Sequence, residues 1–256
     1  MLPRLLLFDV DGTIAESGKV MDSRIKTFLQ ELQQKKNDIK LGIVGGGTFS
    51  KICEQLDDLV VDYIFSECGS TYHCWENNEY QLKSMKILRE HELYVKCKEL
   101  IKHVLQFIGE NVDTISGKFV DVRNGLIYVS LVGMQADEKE RKDFLKEENE
   151  KQLRQQLLTE LREMIVKNEW DEKLHVTIGG STGIAIYPKE WDKSQIVKEL
   201  NMCDFEQIYY FGDRYETDGN DFPLIFHKGI DGIPVDSIDE TFHFLKFLFQ
   251  KGFKDV

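Results

Sequence analysis

The sequence predicts an α/β protein: a parallel sheet covered by helices and interrupted by an inserted α+β domain with an antiparallel sheet. Three observations predict it. Short apolar runs alternate with helical stretches over the first third of the chain. The middle holds paired strand-like runs joined by glycine turns. After Trp191 the chain returns to the first pattern.

Arg4 to Val10 is a continuous apolar strand, Asp22 to Lys35 has helical periodicity, and Ile39 to Val44 is a second apolar strand. Phe49 to Leu56 reads as a helix and Tyr63 to Ser66 as a third strand, completing β-α-β-α-β. In the middle, Glu92 to Ile108 places Leu93, Cys97, Leu100 and Val104 at helical spacing. Phe119–Val122 and Leu126–Leu131 flank Arg123-Asn124-Gly125, and Asn-Gly between alternating runs signals a hairpin. Ala136 to Lys167 reads as charged helix, with pairs such as Glu147 and Lys151 on a solvated face. Leu174–Ile178 and Gly183–Tyr187 enclose Gly179-Gly180 as a second hairpin. Ser194 to Asn201 then reads as helix and Ile208 to Phe211 as an apolar strand, with a C-terminal helix last. These patterns place the core domain at 1–83 and 187–256 and the insertion at 84–186.

Of 256 residues, 41% are hydrophobic and 30% charged, enough apolar material for a sizeable core. The net charge of −12 argues against a nucleic-acid partner, whose phosphates need Lys and Arg. No apolar run reaches the roughly 20 residues that span a bilayer. The start is too short and too quickly acidic for a signal peptide, and five cysteines without a C-x-x-C pair read as reduced thiols. The expected location is the cytoplasm.

Chemistry concentrates at strand ends. Phe8-Asp9-Val10-Asp11-Gly12-Thr13 closes the first strand, where α/β sheets place their sites. A carboxylate there can attack phosphorus or ligate a hard cation. A calcium loop fails: its fifth position would be Thr13, its glycine Ile14 and its twelfth position Val20. Phe211-Gly212-Asp213-Arg214, with Gly219-Asn220-Asp221 close behind, follows another strand. Asp213 facing Asp9 and Asp11 would complete an oxygen-rich magnesium site. Val44-Gly45-Gly46-Gly47-Thr48 offers amides and a hydroxyl at a helix start, where phosphate binds. Trp191-Asp192-Lys193 opens a helix; taken singly, Lys193 reads as a solvated surface charge.

In this order the four features resemble the haloacid dehalogenase superfamily, a Rossmann-like core with an inserted α+β cap. Arg123-Asn-Gly, Ile178-Gly-Gly and Trp191-Asp-Lys extend the resemblance to its eukaryotic-type phosphomannomutase branch. The resemblance implies Asp9 as nucleophile, Asp11 as general acid/base and Lys193 as the charge offsetting the transferring phosphoryl group. It implies Mg2+ held by Asp9, the Asp11 backbone carbonyl and Asp213. Gly46, Gly47 and Thr48 would touch substrate. Arg123 and Arg141 match substrate-binding arginines of the family; without that context each reads as a surface ion pair. A hexose phosphate substrate, a hexose bisphosphate activator, a role in GDP-mannose synthesis and a homodimer through the cap follow as further implications. The apolar stripe of the Glu92–Ile108 helix suits such a dimer and suits covering the cap sheet equally well.

Other positions depart from the family. Gly18 and Met134 stand where it has arginines, Gly183 and Ala185 where it has a serine and an aspartate, and Arg214 where it has a lysine. A magnesium-dependent sugar-phosphate phosphatase, in which water discharges the aspartyl-phosphate, is therefore the alternative reading. A non-catalytic homologue is a third, and the retention of Asp9, Asp11, Lys193 and Asp213 opposes it.

Overall fold

The computed structural model describes residues 2–36 and 38–250. The first stretch holds β1 (Arg4–Phe8), α1 (Ser23–Lys35), β2 (Ile39–Val44), α2 (Phe49–Leu56), β3 (Tyr63–Ser66), β4 (Thr71–Glu76) and β5 (Glu79–Met85). The middle holds α3 (Tyr94–Asn111), β6 (Val120–Val122), β7 (Ile127–Ser130), α4 (Glu138–Lys151), α5 (Leu153–Lys167), β8 (Leu174–Gly179) and β9 (Gly183–Pro188). The last stretch holds α6 (Ile196–Glu199), β10 (Gln207–Gly212), α7 (Phe222–Ile225), β11 (Asp231–Pro234) and α8 (Ile238–Gln250).

Two compact units result. The first comprises Met1–Ser84, Lys193–Thr217 and Asp221–Val256; the second comprises Met85–Asp192 and Asp218–Asn220. The second unit runs to Asp192, beyond the boundary at 187 that the pattern suggested, because β9 continues through Pro188. Trp191 packs edge-on to His91 at 5.1 Å inside that unit, while Lys193 belongs to the first.

The first unit is a seven-stranded sheet in the order β11-β10-β1-β2-β3-β4-β5. The first five strands in that order are mutually parallel, and β4 turns antiparallel to β3. β1 is apolar throughout because both its faces are covered. Leu6 and Phe8 join one core cluster with Ile25, Leu29, Ile52 and Leu245; Leu5 and Leu7 join another with Ile196, Leu200 and Leu224. Each of these buried side chains contributes roughly 1.5–3 kcal/mol. Phe8 lies opposite Phe211 in the β1–β10 register, their rings stacked at 4.9 Å, which locks the two strand ends that carry the site.

The β4–β5 hairpin lies outside the elements that the sequence pattern predicts. It is built on Asn77 and Asn78, both with positive φ (53° and 63°), the conformation of a tight primed turn. Its strands are short on buried apolar residues because they form a sheet edge.

The second unit holds a four-stranded antiparallel sheet, β6-β7-β9-β8. Leu93, Cys97, Leu100 and Val104 are all buried in this single chain, and α3 packs on α5. That stripe therefore covers its own unit. Glu147 and Lys151 do pair, at 3.0 Å, but Glu147 is only 9% exposed and accepts the Asp113 and Thr114 amides as well. It ties down the loop after α3 rather than facing solvent.

The single helix expected over 136–167 is two helices, broken at Gln152, whose φ of 54° and ψ of 43° are left-handed. Glu148 bridges the break by accepting from the Arg154 amide at 3.1 Å and its guanidinium at 2.8 Å. A left-handed non-glycine residue costs on the order of 1–2 kcal/mol. Gln152 is exposed, so Gln152→Gly is expected to raise stability by about 1 kcal/mol in urea denaturation. A loss of stability would show the break to be held by the Gln152 side chain.

Candidate active site

The parallel strands bring their carboxyl ends together. Asp9 follows β1, and its amide donates to the Phe211 carbonyl of β10 at 2.9 Å, which sets it beside Gly212 and Asp213. Two glycines make room. A Cβ on Gly12, whose φ is 92°, would lie 2.4 Å from Asp213 Oδ2, and one on Gly212 would lie 2.6 Å from Asp221 Cγ. The loop after β1 and the end of β10 can thus close onto the carboxylates only without side chains.

Lys193 is the centre of the arrangement. It is fully buried, and its Nζ donates to Asp9 Oδ1 and Asp221 Oδ1, each at 2.5 Å, and to the Tyr210 hydroxyl at 3.2 Å. Tyr210 in turn donates to Asp221 Oδ1. Asp221 Oδ2 accepts from the Arg214 amide at 2.9 Å, and the Arg214 guanidinium lies 3.3 Å from Asp213 Oδ2. Burial alone would lower the Lys193 pKa, but the Asp221 and Asp9 charges outweigh it and hold the ammonium charged. Lys193 is not the solvated surface charge it suggests when read singly.

Asp9, Asp213 and Asp221 offer carboxylate oxygens that all lie within 4.8 Å of one another. Burial pushes Asp9 well above the ordinary carboxylate range, with Lys193 opposing and Asp221 and Asp213 reinforcing the rise. Burial, then the charge of Asp221, pushes Asp213 up to about 6. Asp213 Oδ1 is buried without a hydrogen-bond partner. Crowded acids with an orphaned oxygen and an all-oxygen donor set fit a hard divalent cation, which would favour their charged forms.

Asp11 points elsewhere. Its carboxylate accepts from the Gly18 amide at 3.0 Å and from Gln55 Nε2 at 2.8 Å, with Lys51 Nζ at 3.4 Å. The side chain is therefore separate from the three-acid cluster, and Asp221 is the carboxylate that folding supplies there. The Gly219-Asn220-Asp221 run pointed to this loop, but nothing local marked Asp221 as the partner of a buried lysine.

The loop after β2 is tied by its backbone. Gly45 and Gly47 carbonyls accept from the Cys68 and Glu67 amides, and Thr48 caps α2 by accepting from the Lys51 amide at 3.4 Å. Gly46 lies within the same loop, outside any helix or strand. Arg123 and Arg141 belong to the second unit. Arg123 donates to Asp121 at 2.9 Å, while Arg141 donates to the carbonyls of Ala136 and Met134, closing the turn before α4.

A family model described as eukaryotic phosphomannomutase matches residues 25–251. The chain is 33% identical over 250 residues to a phosphomannomutase of Arabidopsis thaliana, covering 96% of each chain. It is 31% identical over 242 residues to a phosphomannomutase of Encephalitozoon cuniculi, covering 93% of this chain and 90% of that one. Among solved structures, IMP-bound Plasmodium falciparum IMP-nucleotidase superposes with a TM-score of 0.66 at 14% identity, covering 95% of this chain and 67% of that one. The sucrose-phosphatase of Synechocystis sp. PCC6803 superposes at 0.52 with 18% identity, covering 97% and 89%. At those identities the likeness is one of fold.

Proposed function

We propose that this chain, which belongs to the eukaryotic phosphomannomutase family, interconverts mannose 6-phosphate and mannose 1-phosphate through a phosphoryl group carried on Asp9. The observation that carries the reading is the cluster of Asp9, Asp213 and Asp221, with buried Lys193 bonded to Asp9 and Asp221.

An Asp9 carboxylate oxygen attacks a phosphorus of the hexose bisphosphate, forming the aspartyl-phosphate and a hexose monophosphate as the bond to the sugar oxygen breaks. Asp11, held at the β1 exit by the Gly18 amide and Gln55, delivers a proton to that leaving oxygen. In the second half, Asp11 takes the proton of the attacking sugar hydroxyl and the phosphoryl group leaves Asp9. Lys193 sits on Asp9 Oδ1 and offsets charge on the transferring group. Asp9, Asp213 and the Asp11 carbonyl, with Asp221 alongside, would hold a magnesium ion, which would supply charge neutralisation at the phosphoryl oxygens. Gly46, Gly47 and Thr48 contribute amides and a hydroxyl toward substrate phosphate. We assign the second phosphate of the bisphosphate intermediate to Arg123 and Arg141, and a hexose bisphosphate is the activator because it phosphorylates Asp9.

Mass balance tests this reading. With Mg2+ and a hexose 1,6-bisphosphate, mannose 1-phosphate is expected to become mannose 6-phosphate, with inorganic phosphate near zero and turnover stopped by EDTA. Phosphate released one for one would replace the mutase with the phosphatase.

Among the described residues no helix is long and apolar enough to cross a membrane. A cytoplasmic enzyme is the reading the cysteines support, none of the five forming a disulfide. We also assign a homodimer to the second unit, supported by the exposed Val95 and Leu105 of α3; light scattering on the eluted protein tests it.

A further inference from the structure

The second unit pairs Arg123 with a side chain, Tyr128, that neither the motif set nor the reaction accounts for. In its sheet, Val129, Ile184 and Ile178 align across β7, β9 and β8, as do Ile127, Ile186 and Val176. These apolar rows face α5, which packs on β8 and β9. Side chains alternate across a sheet, so the row Asp121, Tyr128, Ala185 and Thr177 lies on the opposite face.

Tyr128 dominates that face. Its ring lies across the glycines of the β8–β9 hairpin. A Cβ on Gly183 would fall 2.7 Å from the phenol oxygen and 2.8 Å from Cζ, and one on Gly179 would touch Cε2 at 3.6 Å. A Cβ on Gly183 would also lie 2.1 Å from the Val129 carbonyl oxygen, so the paired strand and the ring both require glycine at 183. On the ring sits the Arg123 guanidinium, its carbon 4.7 Å from the centroid. Asp121 fixes the guanidinium from the side at 2.9 Å, and the same carboxylate is shared with Lys118 at 3.2 Å, so two cations meet one anion. The phenol donates to the Gly179 carbonyl over 3.4 Å, a long bond that a charged phosphate oxygen outcompetes.

We propose that Tyr128 is a substrate-binding residue: it seats the Arg123 guanidinium by stacking and donates its hydroxyl to the same phosphate oxygens of the sugar phosphate. This rests on the assignment of Arg123 to the substrate's second phosphate. The stack removes rotamer freedom from the guanidinium before binding, and the hydroxyl adds a charge-assisted bond at the same anion.

The test compares Tyr128→Phe, Tyr128→Leu and Arg123→Ala in the mannose 1-phosphate reaction with Mg2+ and bisphosphate. Phosphoryl transfer from p-nitrophenyl phosphate, which has no sugar and no second anionic site, serves as the control. Tyr128→Phe keeps the stack and is expected to raise KM about three- to tenfold with kcat within about twofold. Tyr128→Leu loses both functions, and its KM is expected to approach that of Arg123→Ala. The loss on p-nitrophenyl phosphate should be smaller than the loss on mannose 1-phosphate in each variant. If Arg123→Ala raises KM while both Tyr128 variants stay at the wild-type value, the proposal fails alone. If all three leave KM unchanged, the assignment of Arg123 fails with it. A parallel loss on both substrates would show Tyr128 acting only through the fold of its unit, and also overturns the proposal.

Discussion

Asp9→Asn is expected to lower turnover of mannose 1-phosphate by on the order of 10^4-fold or more, the scale of losing a covalent nucleophile. The amide cannot accept phosphorus to form a stable acyl phosphate. The fold should survive, because Lys193 keeps Asp221 at 2.5 Å and the Tyr210 hydroxyl at 3.2 Å. In chelator the variant should be no less stable than the wild type. Three carboxylates share the Lys193 ammonium and the Arg214 guanidinium in the wild type, and the substitution removes the excess negative charge. Added Mg2+ is expected to raise the melting temperature of the variant less than that of the wild type, because the proposed magnesium set loses a carboxylate. Turnover within tenfold of the wild type would remove Asp9 from the role of nucleophile.

Lys193→Met should cost both activity and stability. Removing one partner from a buried charge cluster typically costs about 3–5 kcal/mol, because the remaining charges have neither water nor a counterion. For a protein of this size that is a fall in Tm of about 10 °C. The deficit should depend on pH with a definite sign. Burial already pushes Asp9 up and Asp213 to about 6, and without the ammonium both rise further. A group whose folded pKa is raised favours folding while it is protonated. Its contribution is complete below the unfolded value near 4 and is lost as pH rises through the folded value. In chelator the variant should therefore lie closest to the wild type near pH 5 and furthest from it near pH 8. Asp221→Asn added to Lys193→Met should restore part of the loss at pH 8. A pH-independent deficit would mean that packing around the Lys193 stem, rather than its charge, holds the site together.

The parts of this protein legible in sequence are those where one local signal suffices. β1, β2 and β3 read as buried parallel strands because both faces need apolar residues, so their runs are unbroken. The β6–β7 hairpin was visible in Asn124-Gly125. The β4–β5 hairpin carries a comparable signal in Asn77-Asn78 but lies at a half-exposed edge, where hydrophobic alternation is diluted. The break at Gln152 had no glycine or proline to announce it; Glu148 reaching Arg154 supplies the missing constraint.

By itself, then, the sequence determined the layered α/β core, the antiparallel insertion and the acidic motifs at the ends of β1 and β10, since periodicity and turn chemistry act over a few residues. Only the tertiary structure decided which acids meet. Lys193 lies 184 residues from Asp9 along the chain and bonds to it only after β10 has paired with β1. Asp221 enters the cluster, and the Asp11 carboxylate leaves it for Gln55, because Gly12 and Gly212 let two loops close. Charges at such separations interact only once the core has excluded the water between them, and no local pattern records that.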